Sequence, residues 1–330
     1  MAKVSTGDVH VNAPLTNVSI AYLQSASDFI ASRVFPNLPV GKRSDRYYTY
    51  DRGEFNRDDM EERAPATESA GSEYSIDNTP TYYCKVYALH HDVPDEIRAN
   101  SDSMLNPDME ATTFVTQKAL IKREKLWVSK YFTSGVWTSQ ITGVASSPST
   151  NEVLKWSDAN SNPVENIRAG RLAMKQSTGF TANKLVLSLA VYNVLVDHPD
   201  IVDRIKYSGG VGPSNPAIVT LQALTQLFEV DEILIMSAIE NTAKEGLTAS
   251  HSFIGGNHAL LVHAAKAPGL MTPSAGYTFS WTGMVGSGNE GNRIKRFRME
   301  HLEADRVEIQ MAFDQKLVAA DLGYIFLNII

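Results

Sequence analysis

The longest uninterrupted pattern of apolar and polar positions runs from Pro107 to about Thr133, PDMEATTFVTQKALIKREKLWVSKYFT. Wound at about 100° per residue, Phe114, Ile121, Val128 and Phe132 fall in one stripe, with Leu120, Trp127 and Tyr131 in the stripe beside it. Lys118, Lys122 and Lys125 share a third, basic stripe. Pro107, Asp108 and Glu110 occupy the first turn, where a fixed φ and negative charge favour a helix start. The pattern meets no breaker before Gly135, so it predicts a helix of about 40 Å at 1.5 Å per residue. A rod of that length braces something wide.

Before it, residues 1–45 hold a polar start, an apolar helix candidate from Val18 to Val34, and FPNLPV, where Pro36 and Pro39 enforce an extended path. This arm has little core of its own, and two readings stay open: a frayed terminus, or a contact arm ordered by what it lies on. KRSDRYYTYDRGEF and TYYCKVYALHHDV are strand-prone. The acidic link between them carries Asp58, Asp59, Glu61, Glu62, Glu68 and Glu73. A long two-stranded ribbon with an acidic tip is expected, resting on a neighbour because a lone ribbon is marginally stable; an ordinary surface hairpin is the other reading.

After the long helix the chain alternates. VENIRAGRLAMKQSTG reads as a helix capped by Gly179; KLVLSL, EILIMS and HALLVHAA read as buried strands, with helical pieces between them. This predicts an α/β unit from about 157 to 285. From Arg293 the pattern becomes strand-like. Two strands joined near His301 to Asp305 are expected, with Arg293, Lys295, Arg296 and Arg298 on the first and Glu300, Glu303, Asp305 and Glu308 at and after the turn. GYIFLNII is apolar enough for an interior strand.

Hydrophobic residues make up 43% of 330 positions, enough for a large core, and the formal charge of −7 argues against a chain whose main task is coating nucleic acid. No signal-peptide pattern and no run long enough to span a bilayer appears, so no membrane partner is expected. A single cysteine, Cys84, excludes an internal disulfide and a cysteine-rich metal site.

Candidate chemistry is sparse. Gly286, Gly288 and Gly291 spell GxGxxG, but a strand-like RIKRFR follows where a dinucleotide site needs a helix start. SGGVG lacks the Lys-Ser/Thr ending of a phosphate loop. His90 and His91 are adjacent on a strand and point to opposite faces, and His251, His258 and His263 lack ligand spacing. No GxSxG elbow is present. No catalytic, cofactor or metal residue is assigned, and no cofactor is expected. The basic stripe Lys118, Lys122, Lys125 reads as a solvated face or a partner for acidic residues, with an interior, DNA-facing role as the alternative.

The order of parts, arm, acidic ribbon, long helix, α/β unit, late strand pair and apolar terminal strand, resembles the major capsid proteins of tailed bacteriophages, the Hong-Kong-97-type fold shared with encapsulin shells. KLVLSLAVYNVLVDHPDIVDRIKY, LFEVDEILIMSAIENTAKEG and APGLMTPSAGYTFSW look like corresponding stretches of one phage capsid family. The resemblance implies an α+β chain with an N-terminal arm (1–45), an extended loop (46–92) and a spine helix (107–133). It further implies a peripheral domain (93–156 with 286–318) and an axial domain (157–285 with 319–330).

It also implies a structural protein, not an enzyme, forming hexamers and pentamers that tile an icosahedral shell around double-stranded DNA packaged without sequence preference. The shell is expected to assemble in the host cytoplasm and reside in the virion. Its expected partners are a separate scaffolding protein, because no long charged helical leader precedes the arm, a portal protein and, where the lattice uses one, a decoration protein. No Lys–Asn crosslinking pair is evident, so a noncovalent shell is expected. Asp58, Asp59, Glu61 and Glu62 on the ribbon, and Arg293, Lys295, Arg296 and Arg298 against Glu300 and Glu303, are the expected intersubunit contacts. An encapsulin-type compartment and a soluble α/β enzyme are the competing readings.

Overall fold

The computed structural model describes residues 23–101, 105–208, 219–285 and 291–330. The start of the expected arm helix at Val18, most of the SGGVGPSNP loop, and Gly286 and Gly288 of the glycine motif lie outside the described residues. The long helix spans Pro107–Tyr131, with Pro107 in its first turn and the Asn106 side chain accepting from the Met109 amide at 3.1 Å. Of the two expected stripes, Trp127, Tyr131 and Phe132 are buried, but the first half of the helix buries other positions. Phe114 is 47% exposed, while Ala111, Val115, Ala119, Arg123, Trp127 and Tyr131 form the buried line. Each step in that line is four residues, which drifts about 40° around a 3.6-residue turn, so the line winds from one side of the helix to another. Its first half packs on Val307, Ile309, Met311 and Phe313, and its second half packs on Ile30, Val34, Phe35, Val186 and Leu260. A single straight stripe fails here because the helix is buried by two different layers.

The first layer is a five-stranded sheet. Asn37–Val40, Gly276–Trp281, Ala304–Leu317 and Asn292–Met299 follow in order, and Lys85–Pro94 also pairs with the long strand Ala304–Leu317. The two strands expected after Arg293 are antiparallel, with Arg296 opposite Val307 and Arg298 opposite Asp305. Alternation along the long strand buries Val307, Ile309, Met311 and Phe313 and leaves Arg306, Glu308 and Gln310 less covered.

The second layer is a six-stranded sheet ordered Glu232–Met236, Lys184–Ser188, Ala259–Val262, Gly323–Leu327, Ser139–Val144 and Glu152–Leu154. The apolar terminal segment is an interior strand, pairing antiparallel with Ala259–Val262 and parallel with Ser139–Val144. Gly323 is needed there, because a Cβ would collide with the Trp137 ring. Helices Pro163–Thr178 and Leu221–Phe228 pack into the same core as its strands. Ser139–Val144 and Glu152–Leu154, read with the peripheral unit, extend this sheet, and Gly276–Trp281, read with the axial unit, joins the five-stranded one. These pairings join distant segments, and local periodicity carries no information about a distant partner.

The ribbon forms as Ser44–Arg46 against Thr81–Tyr83 and Thr49–Tyr50 against Ile76–Asp77. A short helix, Arg52–Phe55, follows Asp51, whose carboxylate accepts from the Gly53 amide at 2.7 Å. Within the described part of the arm, Phe29, Ile30, Ala31, Val34 and Phe35 are buried in the chain's own core, so this segment is not a frayed terminus.

Candidate functional site

No constellation for catalysis assembles among the described residues. Ser161 and His198 meet in the interior, with Oγ and Nε2 3.0 Å apart. The Asp200 amide donates to Nδ1 at 3.2 Å, so Nε2 carries the proton and faces both the Asp158 carbonyl at 3.1 Å and the Ser161 hydroxyl. An imidazole so arranged has no free lone pair to receive a serine proton. His91 rests on the Phe114 ring at 5.7 Å, and no group of three or more metal-ligating side chains forms among the described residues. Gly291 takes a left-handed φ of 77° and leads into the strand Asn292–Met299. Cys84 is buried, its thiol pushed up to about 11 by burial.

The charged residues singled out in the sequence divide into two groups. Arg296 donates to Asp108 at 3.1 Å and Asp305 at 2.9 Å, and Arg298 forks onto Asp95 at 2.7 and 2.5 Å. Arg98 reaches Asp95, Asp108 and Asp305 at 3.1, 2.9 and 2.9 Å, while Arg306 forks onto Asp92 at 2.7 and 2.8 Å. Arg293 donates to Gln310 at 3.0 Å. Arg296 and Arg298, expected to pair across subunits, therefore find their main carboxylates within the chain. The acidic first turns of helix Asp95–Asn100 and of the long helix lie against the end of the strand pair. The guanidinium hydrogen bonds hold Asp95, Asp305 and Asp92 below the usual carboxylate range. Asp108 reads in the sequence as a helix-start residue; its second role, and both roles of Asp95, needed the fold.

Lys295, Glu300 and Glu303 are less committed. Glu300 lies 3.8 Å from Arg298 with its side chain 88% exposed, and Glu303 closes the turn in a left-handed conformation. The basic stripe is partly satisfied inside the chain: Lys118 lies over Phe114 at 5.5 Å, Lys122 over Tyr87 at 5.6 Å, and Lys125 pairs with Glu240.

Among the described residues, the ribbon carries a long exposed run. Asp58, Glu61 and Glu62 are exposed, Asp59 accepts from Ser72 Oγ at 2.6 Å, and Met60 is 93% exposed. Tyr50, Phe55 and Tyr74 form a ring cluster with centroids 5.6 to 6.3 Å apart, yet Phe55 and Tyr74 stay more than half exposed. Its root is firmer. Arg43 lies 4.7 Å from the Tyr83 ring, and Asp314 accepts from the Tyr83 amide at 3.2 Å and from Lys130 at 2.8 Å, joining ribbon, long strand and long helix.

No family model matches the chain. The major capsid protein of Burkholderia phage BcepMu is 24% identical over 336 residues, covering 97% of this chain and 96% of that protein. The major capsid protein of Pseudomonas phage JBD67 is 26% identical, covering 98% of this chain and 99% of that protein. Among solved structures, a phage-related protein from Bordetella bronchiseptica RB50 superposes with a TM-score of 0.68 at 19% identity over 93% of each chain. The mature capsid of bacteriophage PhiM1 gives 0.57 at 11% identity, over 97% of this chain and 92% of that one. The SrpI encapsulin of Synechococcus elongatus PCC 7942 gives 0.54 at 11% identity, over 99% and 96%. The chain is thus similar in sequence, end to end, to two phage major capsid proteins, and its two-sheet, long-helix architecture is the Hong-Kong-97-type fold of phage capsids and encapsulins.

Proposed function

We propose that this chain is the major head protein of a tailed phage, assembling as hexamers and pentamers into a noncovalent icosahedral shell around double-stranded DNA. The observation that carries the reading, beside the full-length likeness to two major capsid proteins, is the ribbon. Its tip presents Phe55, Met60 and Tyr74 to solvent with an acidic run alongside, a surface suited to burial against another subunit. In this reading Pro107–Tyr131 is the spine, the five-stranded sheet is the peripheral unit, and the six-stranded sheet is the axial unit. Lys295, Glu300, Glu303 and the ribbon carboxylates Asp58, Asp59, Glu61 and Glu62 supply polar contacts between subunits. A scaffolding protein, a portal and, in some lattices, a decoration protein complete the assembly.

The test is negative-stain electron microscopy of the purified chain, expressed alone and with its neighbouring genes, beside light-scattering mass. Shells, tubes or hexameric rings support the proposal, and a stable monomer under every condition overturns it. The likeness to an encapsulin supports a second reading, a protein compartment of the same fold. Shells that enclose a co-encoded enzyme and no genome would favour it.

A further inference from the structure

Ala31–Val34 is a single turn of helix, and one turn does not sustain itself in water because nucleation is unfavourable. Ile30, the residue before it, offers no side-chain cap. The caps come from far along the chain. Glu124, fully buried in the long helix, accepts from the Ile30 amide at 3.1 Å through one carboxylate oxygen and from the Ala31 amide at 2.9 Å through the other. At the opposite end Lys184, the first residue of an inner strand of the six-stranded sheet, donates to the carbonyls of Arg33 at 2.6 Å and Val34 at 3.1 Å. Negative charge meets the turn's amides and positive charge meets its carbonyls, the polarity the peptide dipoles favour.

Apolar packing completes the seat. Ile30, Val34 and Phe35 enter the core that holds Trp127, Tyr131, Val186 and Leu260, and the Phe35 ring lies 5.0 Å from Tyr131 and 6.2 Å from Trp127. Residues 29–35 thus form a wedge between the long helix and the six-stranded sheet. Arg123 is the charged neighbour that acts on Glu124; Glu232 and Arg33 are those that act on Lys184. An apolar side chain at position 124 would leave the buried Ile30 and Ala31 amides without an acceptor, so the dehydrated carboxylate is kept for the two bonds it accepts. What it provides is a hold made of a few directional bonds, which let go together when the wedge moves.

We propose that Glu124 and Lys184 form a two-ended latch on residues 29–35, so that this segment opens and closes as a unit on an otherwise intact fold and, when open, uncouples the long helix from the six-stranded sheet. The inference concerns the subunit itself and does not depend on the chain forming shells. The test is amide hydrogen exchange by mass spectrometry on the full chain, in increasing sub-denaturing urea, for wild type, Glu124→Gln and Lys184→Met. In wild type, amides of 29–35 are expected to exchange through an opening that leaves strands Ala259–Val262 and Gly323–Leu327 protected. Each variant is expected to speed exchange of 29–35 by about tenfold with those strands unchanged. Exchange of 29–35 only together with the strands overturns the latch, and so does a folded variant whose arm keeps wild-type protection. If a variant does not fold, the wild-type urea series decides alone.

Discussion

Glu124 and Lys184 hold opposite ends of the same helical turn, Ala31–Val34, one through its amides and the other through its carbonyls. The relationship makes the arm part of the subunit core, and it sets a titration inside that core. Burial pushes the Glu124 carboxyl up to about 7, against the opposing pull of the Ala31 and Ile30 amides and of Arg123.

A pH dependence follows with a definite sign. Because the folded value lies above the unfolded one of 4.5, the stabilising contribution is fully present below pH 4.5 and is lost as pH rises through about 7. The shift corresponds to a contribution on the order of 3 kcal/mol. Thermal melts of the unassembled chain are expected to show a midpoint falling between pH 5 and pH 8. Glu124→Gln removes the titrating group, so the difference between the two pH curves isolates it. Parallel curves would mean that Glu124 does not titrate in this range.

The winding of the buried line along the long helix separates two aromatic positions that look alike in sequence. Trp127 is fully buried and touches the rings of Phe35, Tyr131 and Phe132, whereas Phe114 is 47% exposed. Trp127→Ala is expected to cost about 3–5 kcal/mol in urea denaturation, the range for large-to-small changes in a core. Phe114→Ala is expected to stay within about 1 kcal/mol, as an exposed substitution does. Equal losses would place Phe114 in the core instead.

The arginines of strand Asn292–Met299 give a second contrast. Arg298 is committed to Asp95 within the chain, while Lys295 and Glu300 lack such a fork. Arg298→Ala is expected to lower the urea midpoint of the unassembled chain slightly, as exposed ion pairs do. Lys295→Glu and Glu300→Lys are expected to leave that midpoint unchanged and to alter the salt dependence of assembly, read by light scattering. The reverse pattern would return Arg298 to an intersubunit role.

Much of this architecture is legible in the chain because its signals are local. Pro107 and the acidic first turn mark the long helix, Gly179 ends its neighbour at a left-handed φ of 80°, and the apolar GYIFLNII becomes an interior strand. What stays hidden depends on distant partners. Ser139–Val144 reads as a short strand piece in a turn-rich stretch, and its partner is hidden until Gly323–Leu327 lies parallel to it. Phe29 to Phe35 reads as a terminus until the long helix and Lys184 surround it. Asp108 reads as a helix-start acid and Asp305 as an acid of the turn until Arg98 and Arg296 converge on both, and Asp95 carries no reading until Arg98 and Arg298 meet it. Charge signs were visible throughout, but which charge meets which is a property of the fold.

Ribbon and core separate most sharply under deletion. Residues 57–77 add no side chain to the hydrophobic clusters of the two sheets, and beyond Asp59 every residue to Ser75 is exposed. The root of the ribbon is fixed independently by Arg43, Asp314 and the pairing of Ser44–Arg46 with Thr81–Tyr83. Removing 57–77 therefore takes away the acidic tip, Tyr74 of the ring cluster and the short pairing at Ile76–Asp77, and leaves the two cores untouched. Circular dichroism and the thermal midpoint of the unassembled chain are expected to stay near wild type, while electron microscopy is expected to show no closed shells. Loss of folding would mean that the tip braces its own subunit. Wild-type shells from the deleted chain would remove the ribbon from the assembly contact altogether.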